Sequence, residues 1–360
     1  EFEMKKAADA HSRTATANSG IIDTGMLHEY KFNEHIFKKI SITSDGKNHG
    51  LIMVVDWSGS MNRNIKGTIE QMMVLVMFAK RVNIPFEVYG FSNVFNRKMG
   101  NTSGYAQNFK SGDLVLNVSL LNFFSSRMKT QEQNDMMHYL YMLASRWGYR
   151  DWRSDGYPYQ EPSMLALGST PLNDTIVCAM DLLPEFKKSA GVQKLHTVFL
   201  TDGAGQLPQS YMKKERSDLW GTNYQTHYVS TVKDSIYIHD QGRIYKTSIS
   251  SQWNLYNELW KSLYQILKDR TGCSLTGFYI SPNRKNYFKR DANHLFAGQN
   301  LYEMGYTEGA DGIFKTMKKD GYASIKYCSY DSFIMIPTNK LNLDEDNELA
   351  CLLYTSDAAD

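Results

Sequence analysis

Asp56-Trp57-Ser58-Gly59-Ser60 sets one carboxylate and two hydroxyls at alternate positions. Three hard oxygens aimed at one point suit Mg²⁺, which takes octahedral oxygen ligands at about 2.0–2.1 Å and keeps several waters. Two later segments offer oxygens of the same kind. Gly168-Ser169-Thr170-Pro171 brings the Thr170 hydroxyl, and Thr201-Asp202-Gly203 brings the Asp202 carboxylate. Singly, each is ordinary: a lone DxSxS also serves as a helix N-cap cluster, and a lone TDG as a turn. Together they occur in order, each at a strand-to-helix loop, and that joint pattern points to a metal site.

The elements that must carry these loops follow from hydrophobic pattern. Leu51–Asp56 (LIMVVD) is a short continuous apolar run, the signature of a strand buried on both faces of a parallel sheet. Thr68–Val82 predicts a deeply packed helix and Phe86–Phe91 a second strand, which completes a βαβ unit. Asp113–Leu120 alternates and predicts an edge strand, and Asp135–Trp147 predicts a helix. Pro171–Phe186 has helical spacing, with Pro171 suited to a first turn. Leu195–Asp202 is another strand ending in a carboxylate. The polar, aromatic stretch Gly203–Ser250 reads as an insertion, with a hairpin around the Asp240–Gly242 turn. Trp253–Lys268 is an amphipathic helix and Leu275–Ile280 a further strand. The expected fold class is α/β: a doubly wound, mostly parallel sheet flanked by helices, with a hairpin-containing insertion at about 203–250. In such sheets ligands collect at the carboxyl ends of the strands, where all three oxygen-bearing loops fall.

The three elements resemble the metal-ion-dependent adhesion site of von Willebrand factor A domains. Asp56, Ser58 and Ser60 match its DxSxS element, Thr170 its threonine and Asp202 its second aspartate. The resemblance implies direct ligation of Mg²⁺ (or Mn²⁺) by Ser58, Ser60 and Thr170, with Asp56 and Asp202 acting mainly through bound waters. It leaves one coordination position for a partner's carboxylate. Asp23-Thr24-Gly25-Met26-Leu27, HGLIMVVDWSGSM, GSTPLND and LTDGAG are further similar to the cobaltochelatase CobT-type subunit, in particular to members encoded by tailed phages. That resemblance runs from roughly Gly20 to Ile280. It implies a non-catalytic module working with an AAA+ ATPase of the CobS or MoxR type. The alternative is a standalone Mg²⁺-dependent protein-binding or structural module, viral in origin. The Gly203–Ser250 stretch and the missing acidic region upstream both depart from the family pattern.

Composition narrows the classes. Across 360 residues, 40 Lys+Arg against 38 Asp+Glu give a formal charge of +2, which offers no footprint for nucleic acid or anionic lipid. The longest apolar runs fall short of the roughly 20 residues that span a bilayer, so no membrane segment is expected. Four cysteines, Cys178, Cys273, Cys328 and Cys351, form no CxxC pair and suit a reducing, cytoplasmic setting. In that setting the Asn-x-Ser/Thr triplets at Asn101, Asn117 and Asn173 are chance matches. P-loop, GxSxG and HExxH patterns are absent, so no catalytic residue and no organic cofactor site is assigned. His138 and His196 read as core histidines, and His227, His239 and Asp240 lack metal-ligand spacing.

The expected division is a tail and lead-in segment over 1–50, with 1–20 loose and 21–50 packed on the domain. The main domain spans 51–330, followed by an acidic C-terminal segment over 331–350. Cys351–Asp360 resembles a translated sequencing adapter and is expected to be non-native. The start at Glu1 without Met is what a fragment or processed product would show.

Overall fold

The computed structural model describes residues 14–22, 37–43, 48–94, 114–146, 162, 165–202, 209–213, 224–228, 235–248, 254–296, 309–327 and 329–340. Residues 1–48 and 49–360 form two compact units. In the first, Thr14–Ile22 (β1) pairs antiparallel with Phe37–Thr43 (β2), Thr14 opposite Thr43 and Ile22 opposite Phe37. The stretch expected as a loose tail therefore contains most of a strand. Its TATANSG sequence is small and polar, so the strand is specified by its partner and not by a hydrophobic pattern of its own.

The second unit begins with His49–Asp56 (β3). Ile52 and Val54 pack into one core and Met53 and Val55 into the other, which is why this run is continuously apolar. A 3₁₀ turn at Gly59–Arg63 leads into Ile65–Arg81 (α1), and Phe86–Ser92 (β4) lies parallel to β3. The single strand expected over 113–120 is two: Leu114–Val115 (β5) and Ser119–Ser125 (β6). The edge position falls to β6, antiparallel to β4. Thr130–Arg146 (α2) and Leu172–Ser189 (α3) follow, and Lys194–Thr201 (β7) joins β3 on the side away from β4.

Within the expected insertion, Gln209–Lys213 (β8) and Tyr224–Tyr228 (β9) form a separate three-stranded sheet in the order β5-β8-β9. Ser235–Asp240 (β10) and Arg243–Ser248 (β11) make the expected hairpin. Gln241 and Gly242 turn it with φ of 44° and 81°, the doubly left-handed geometry of a two-residue hairpin loop. Asn254–Thr271 (α4) lies against it: Tyr245 donates to Asp269 Oδ2 at 2.8 Å, and Arg270 clamps Asp240 through Nε at 2.9 and 3.0 Å.

Ser274–Ser281 (β12), Lys285–Leu295 (α5), Ala310–Asp320 (α6), Ala323–Ile325 (β13) and Ser332–Pro337 (β14) complete the described elements. β14 falls inside the stretch read as an acidic segment. Its SFIMIP run is apolar and largely buried, and apart from Asp331 the acidic residues of the segment begin at Asp344.

The main sheet has seven strands in the order β13-β14-β12-β7-β3-β4-β6. The five inner strands are parallel, and the two outer ones antiparallel. Residues of α3, α4, α5 and α6 fill the core on one face, and those of α1 and α2 the core on the other. The chain is thus an α/β doubly wound fold. From β3 it moves outward to β4, then returns to β7 on the opposite side. β3 and β7 are therefore neighbours at the point where winding reverses, the place where such sheets open a crevice. On the β4 side the buried Glu87 carboxylate accepts from Asn122 Nδ2 at 2.6 Å, Ser125 Oγ at 2.8 Å and Arg127 at 2.8 Å. A charge taken out of water needs such partners, and these fasten β6 to β4.

Candidate metal centre

The last residue of β3 is Asp56, fully buried at the crevice between β3 and β7. Its Oδ2 accepts from Thr201 Oγ1 at 2.6 Å, a bond between the ends of the two strands. Its Oδ1 is buried and makes no hydrogen bond with any described residue. Burial pushes this carboxyl up to about 7, and the Asp202 carboxylate adds repulsion; the Thr201 hydroxyl only partly offsets them.

Beyond Asp56 the chain leaves the sheet, and Trp57 turns inward. The indole is fully buried, 4.7 Å from the Phe123 ring, and its Nε1 donates to Leu165 O at 2.8 Å. This anchors the DxSxS loop to the later Thr170 loop. Backbone pairing continues the contact. Gly168 N donates to Trp57 O at 3.2 Å and Gly59 N to Gly168 O at 2.8 Å, an isolated parallel bridge between Ser58 and Gly168. Ser169 N donates to Asn93 Oδ1 at 2.9 Å. Thr170 is half-buried in this loop, just before Pro171 at the start of α3.

The hydroxyls of Ser58 and Ser60 are 2.9 Å apart. Ser60 Oγ in turn donates to Asp202 Oδ1 at 2.7 Å, and Asn64 Nδ2 to Asp202 Oδ2 at 3.3 Å. Asp202 follows directly after β7, so its position is set by the same β3–β7 register that sets Asp56. Burial raises the Asp202 carboxyl above its ordinary value; Ser60 and Asn64 pull it down, and the Asp291 carboxylate on α5 pushes it up. Ser58 is buried while Ser60 is exposed, so the oxygens run from the floor of the crevice to its surface.

Of the five residues expected at the site, Asp56, Ser58, Ser60 and Asp202 are linked by contacts among themselves or through Thr201. Thr170 is brought alongside by the Ser58–Gly168 bridge. Residues outside the expected set also take part: Thr201, Asn64, Asn93 and Trp57 hold the oxygen-bearing groups, and Tyr279 and Asp291 border them. The Tyr279 phenol is raised by burial and by the nearby Asp291, Asp202 and Asp56 carboxylates. Among the described residues no cluster of three His, Cys, Asp or Glu is placed to hold a metal. The donor set here is different in kind, built from hydroxyls as much as carboxylates. His138, read as a core residue, is exposed, and His196 is half-buried and bonded to His49 at 2.9 Å. Asp240 belongs to Arg270, and His239 faces away from it on the hairpin.

The fold and site thus define an α/β protein with an oxygen-lined crevice at its switch point. No family model and no curated protein matches the chain. Among solved structures it is similar to the pilus adhesin SpaC from Lactobacillus rhamnosus GG in its open conformation, at 13% identity over 77% of this chain and 30% of that one, with a TM-score of 0.35. It is also similar to three N-terminal domains of the type V pili tip protein Mfa5 from Porphyromonas gingivalis, at 12% identity over 54% of this chain and 24% of that one, with a TM-score of 0.26. Human COPII-coat protein Sec24c matches at 8% identity over 79% of this chain and 34% of that one, with a TM-score of 0.29. The chain spans about a third or less of the length of each. Likenesses this weak carry no functional argument. No helix among the described residues is long and apolar enough to cross a membrane.

Proposed function

We propose that this chain is a divalent-cation-dependent protein-binding module of the von Willebrand factor A type. Mg²⁺ (or Mn²⁺) would be held by Ser58, Ser60 and Thr170, with Asp56 and Asp202 behind them. One observation carries the reading: the buried Asp56 carboxylate and the half-buried Asp202 carboxylate, which repels it, flank a pair of serine hydroxyls, and Asp56 Oδ1 has no hydrogen bond to a described residue. A cation relieves both the repulsion and the orphaned oxygen.

The donor chemistry fits. All candidate ligands are hard oxygens, with neither thiolate nor imidazole in the set. Adjacent ligands of an octahedral Mg²⁺ site at about 2.0–2.1 Å lie about 2.9 Å apart. The Ser58–Ser60 separation is 2.9 Å, so their hydrogen bond already holds the oxygens at that spacing. Each hydroxyl retains lone pairs that face away from its hydrogen bond. When bound, the cation supplies a site for an acidic side chain of a partner, because few negative charges touch it directly. Asp56 anchors the floor through Thr201, Asp202 orients Ser60, and the exposed Ser60 marks the side from which a partner approaches.

The narrower form of the proposal follows the sequence resemblance of DWSGSM, GSTPLND and LTDGAG. In it the chain is the non-catalytic partner of an AAA+ ATPase of the CobS or MoxR type in a cytoplasmic, chelatase-like complex. Any chemistry then belongs to another subunit.

Calorimetric titration of the full chain with MgCl₂ tests the site, with Thr170→Ala and Asp202→Ala as comparisons. The expected result is one binding event in wild type and none in either variant. Co-purification with an AAA+ ATPase encoded beside this gene tests the partner. Equal recovery from wild type, from Thr170→Ala and in EDTA would overturn metal-bridged docking.

A further inference from the structure

We infer that Asn93 is a positioning residue for the metal site, holding the loop that carries Thr170. The inference rests on the proposed metal site and adds a residue outside its ligand set. Asn93 directly follows β4, one strand away from Asp56, and is 8% exposed. Its Oδ1 accepts the Ser169 amide at 2.9 Å. Packing at this point is close: a Cβ on Gly168 would lie 2.8 Å from Asn93 Oδ1, 2.4 Å from Ser92 Oγ and 2.5 Å from Val94 Cγ2.

The loop is thus gripped from two strand ends. On the β3 side, Trp57 O and the Gly59 amide bind Gly168. On the β4 side, Asn93 binds Ser169. The next residue is Thr170, and the one after is Pro171 with φ −80°. A residue before proline is confined to extended backbone, so Thr170 is restricted from its C-terminal side by Pro171. Asn93 supplies the restriction from the N-terminal side. With both in place the Thr170 hydroxyl is preorganised, and its ordering cost is met by folding and not by metal binding. The carboxamide does this without adding a third negative charge next to Asp56 and Asp202.

The test is calorimetric titration of the full chain with MgCl₂ for wild type, Asn93→Ala and Asn93→Asp, with metal-free melting curves in EDTA alongside. Groups that orient ligands without touching the metal typically carry about 10–100-fold in affinity. Asn93→Ala should therefore bind Mg²⁺ at least about 10-fold more weakly. Asn93→Asp keeps an acceptor at the same reach and should bind as tightly as wild type or more so. A purely structural role would lower both metal-free melting curves and leave affinity unmoved. Wild-type affinity in Asn93→Ala, or equal weakening in both variants, overturns the inference while the metal site stands. If Asn93→Ala does not fold by circular dichroism, Asn93→Asp decides alone, and weakened binding there overturns it. Wild type that binds no Mg²⁺ overturns the metal site, and this inference with it.

Discussion

Ser60 donates its hydroxyl to Asp202 Oδ1 at 2.7 Å across 142 residues of sequence. The contact depends on register. β3 and β7 pair with Val55 opposite Leu200, which puts Asp56 beside Thr201 and lets the two loops meet beyond the sheet. A one-residue slip would turn every side chain of one strand to the opposite core, so the packing of Ile52, Val54, Leu195 and Phe199 on one face holds the site in register.

Metal should stabilise the fold. At a Mg²⁺ concentration about 100-fold above Kd, the gain is about 2.7 kcal/mol. Thermal melts with millimolar Mg²⁺ and with EDTA measure it, and Asp202→Ala should remove the difference while keeping its circular dichroism spectrum. Coincident wild-type curves, with no heat of binding, would refute the site.

Asp174, in the first turn of α3, gives a pH dependence separate from the metal. It is buried, its Oδ2 accepts the Asn117 amide at 2.8 Å, and burial raises its carboxyl from 3.8 to about 6. The folded state therefore favours the protonated form. Its contribution is complete below about pH 4 and is lost as pH rises through about 6. Asp174→Asn keeps an acceptor and cannot ionise. It should exceed wild type by up to about 3 kcal/mol at about pH 8 and match it at about pH 4. Denaturant melts at the two pH values check this, and an equal gap at both would contradict it.

Two glycine substitutions should separate site from scaffold. A Cβ at Gly168 meets Ser92 Oγ at 2.4 Å, and one at Gly277 meets the Phe333 ring at 2.6 Å. Overpacking of this kind costs about 1–3 kcal/mol. Both Gly168→Ala and Gly277→Ala should lower the melting temperature, but only Gly168→Ala, which displaces the Thr170 loop, should weaken Mg²⁺ binding.

Trp57→Phe retains an aromatic ring beside Phe123 and removes the donor to Leu165 O. Leaving the half-buried Leu165 carbonyl unpaired costs at most about 1–3 kcal/mol. The expected outcome is that loss in denaturant melts, together with weaker metal binding, since the indole is the side-chain tie between the two ligand loops. Unchanged stability would show that Leu165 O is satisfied by water.

Much of the fold is legible in the sequence because parallel strands buried on both faces must be continuously apolar. LIMVVD, LHTVFLTD and LTGFYI stand out for that reason, and they are the inner strands that carry or neighbour the site. The five ligand candidates are legible through spacing. The supporting residues are not. Asn93 and Asn64 are polar residues in loops, and only the folded backbone shows that one meets Ser169 and the other Asp202. Thr201 adjoins Asp202 in sequence yet serves Asp56. Trp57 did carry a signal, as the one large apolar residue in the polar run DWSGS, but its partner Leu165 lies 108 positions away. Past Ser281 the pattern fails because α5 and α6 are short, and β13 has only three residues.

The rims of the main sheet bear on how copies of this chain behave in a crowded solution. An outer strand with long, regular rows of backbone donors and acceptors is a template on which another chain can add its own strand. Here one outer strand, β13, offers three residues, and the other, β6, breaks register with β4 between Val88 and Tyr89 and ends at the charged Arg127–Glu87 pair. Neither rim gives an incoming strand a straight run to zip along. Self-recognition through the rims of this sheet is thereby discouraged.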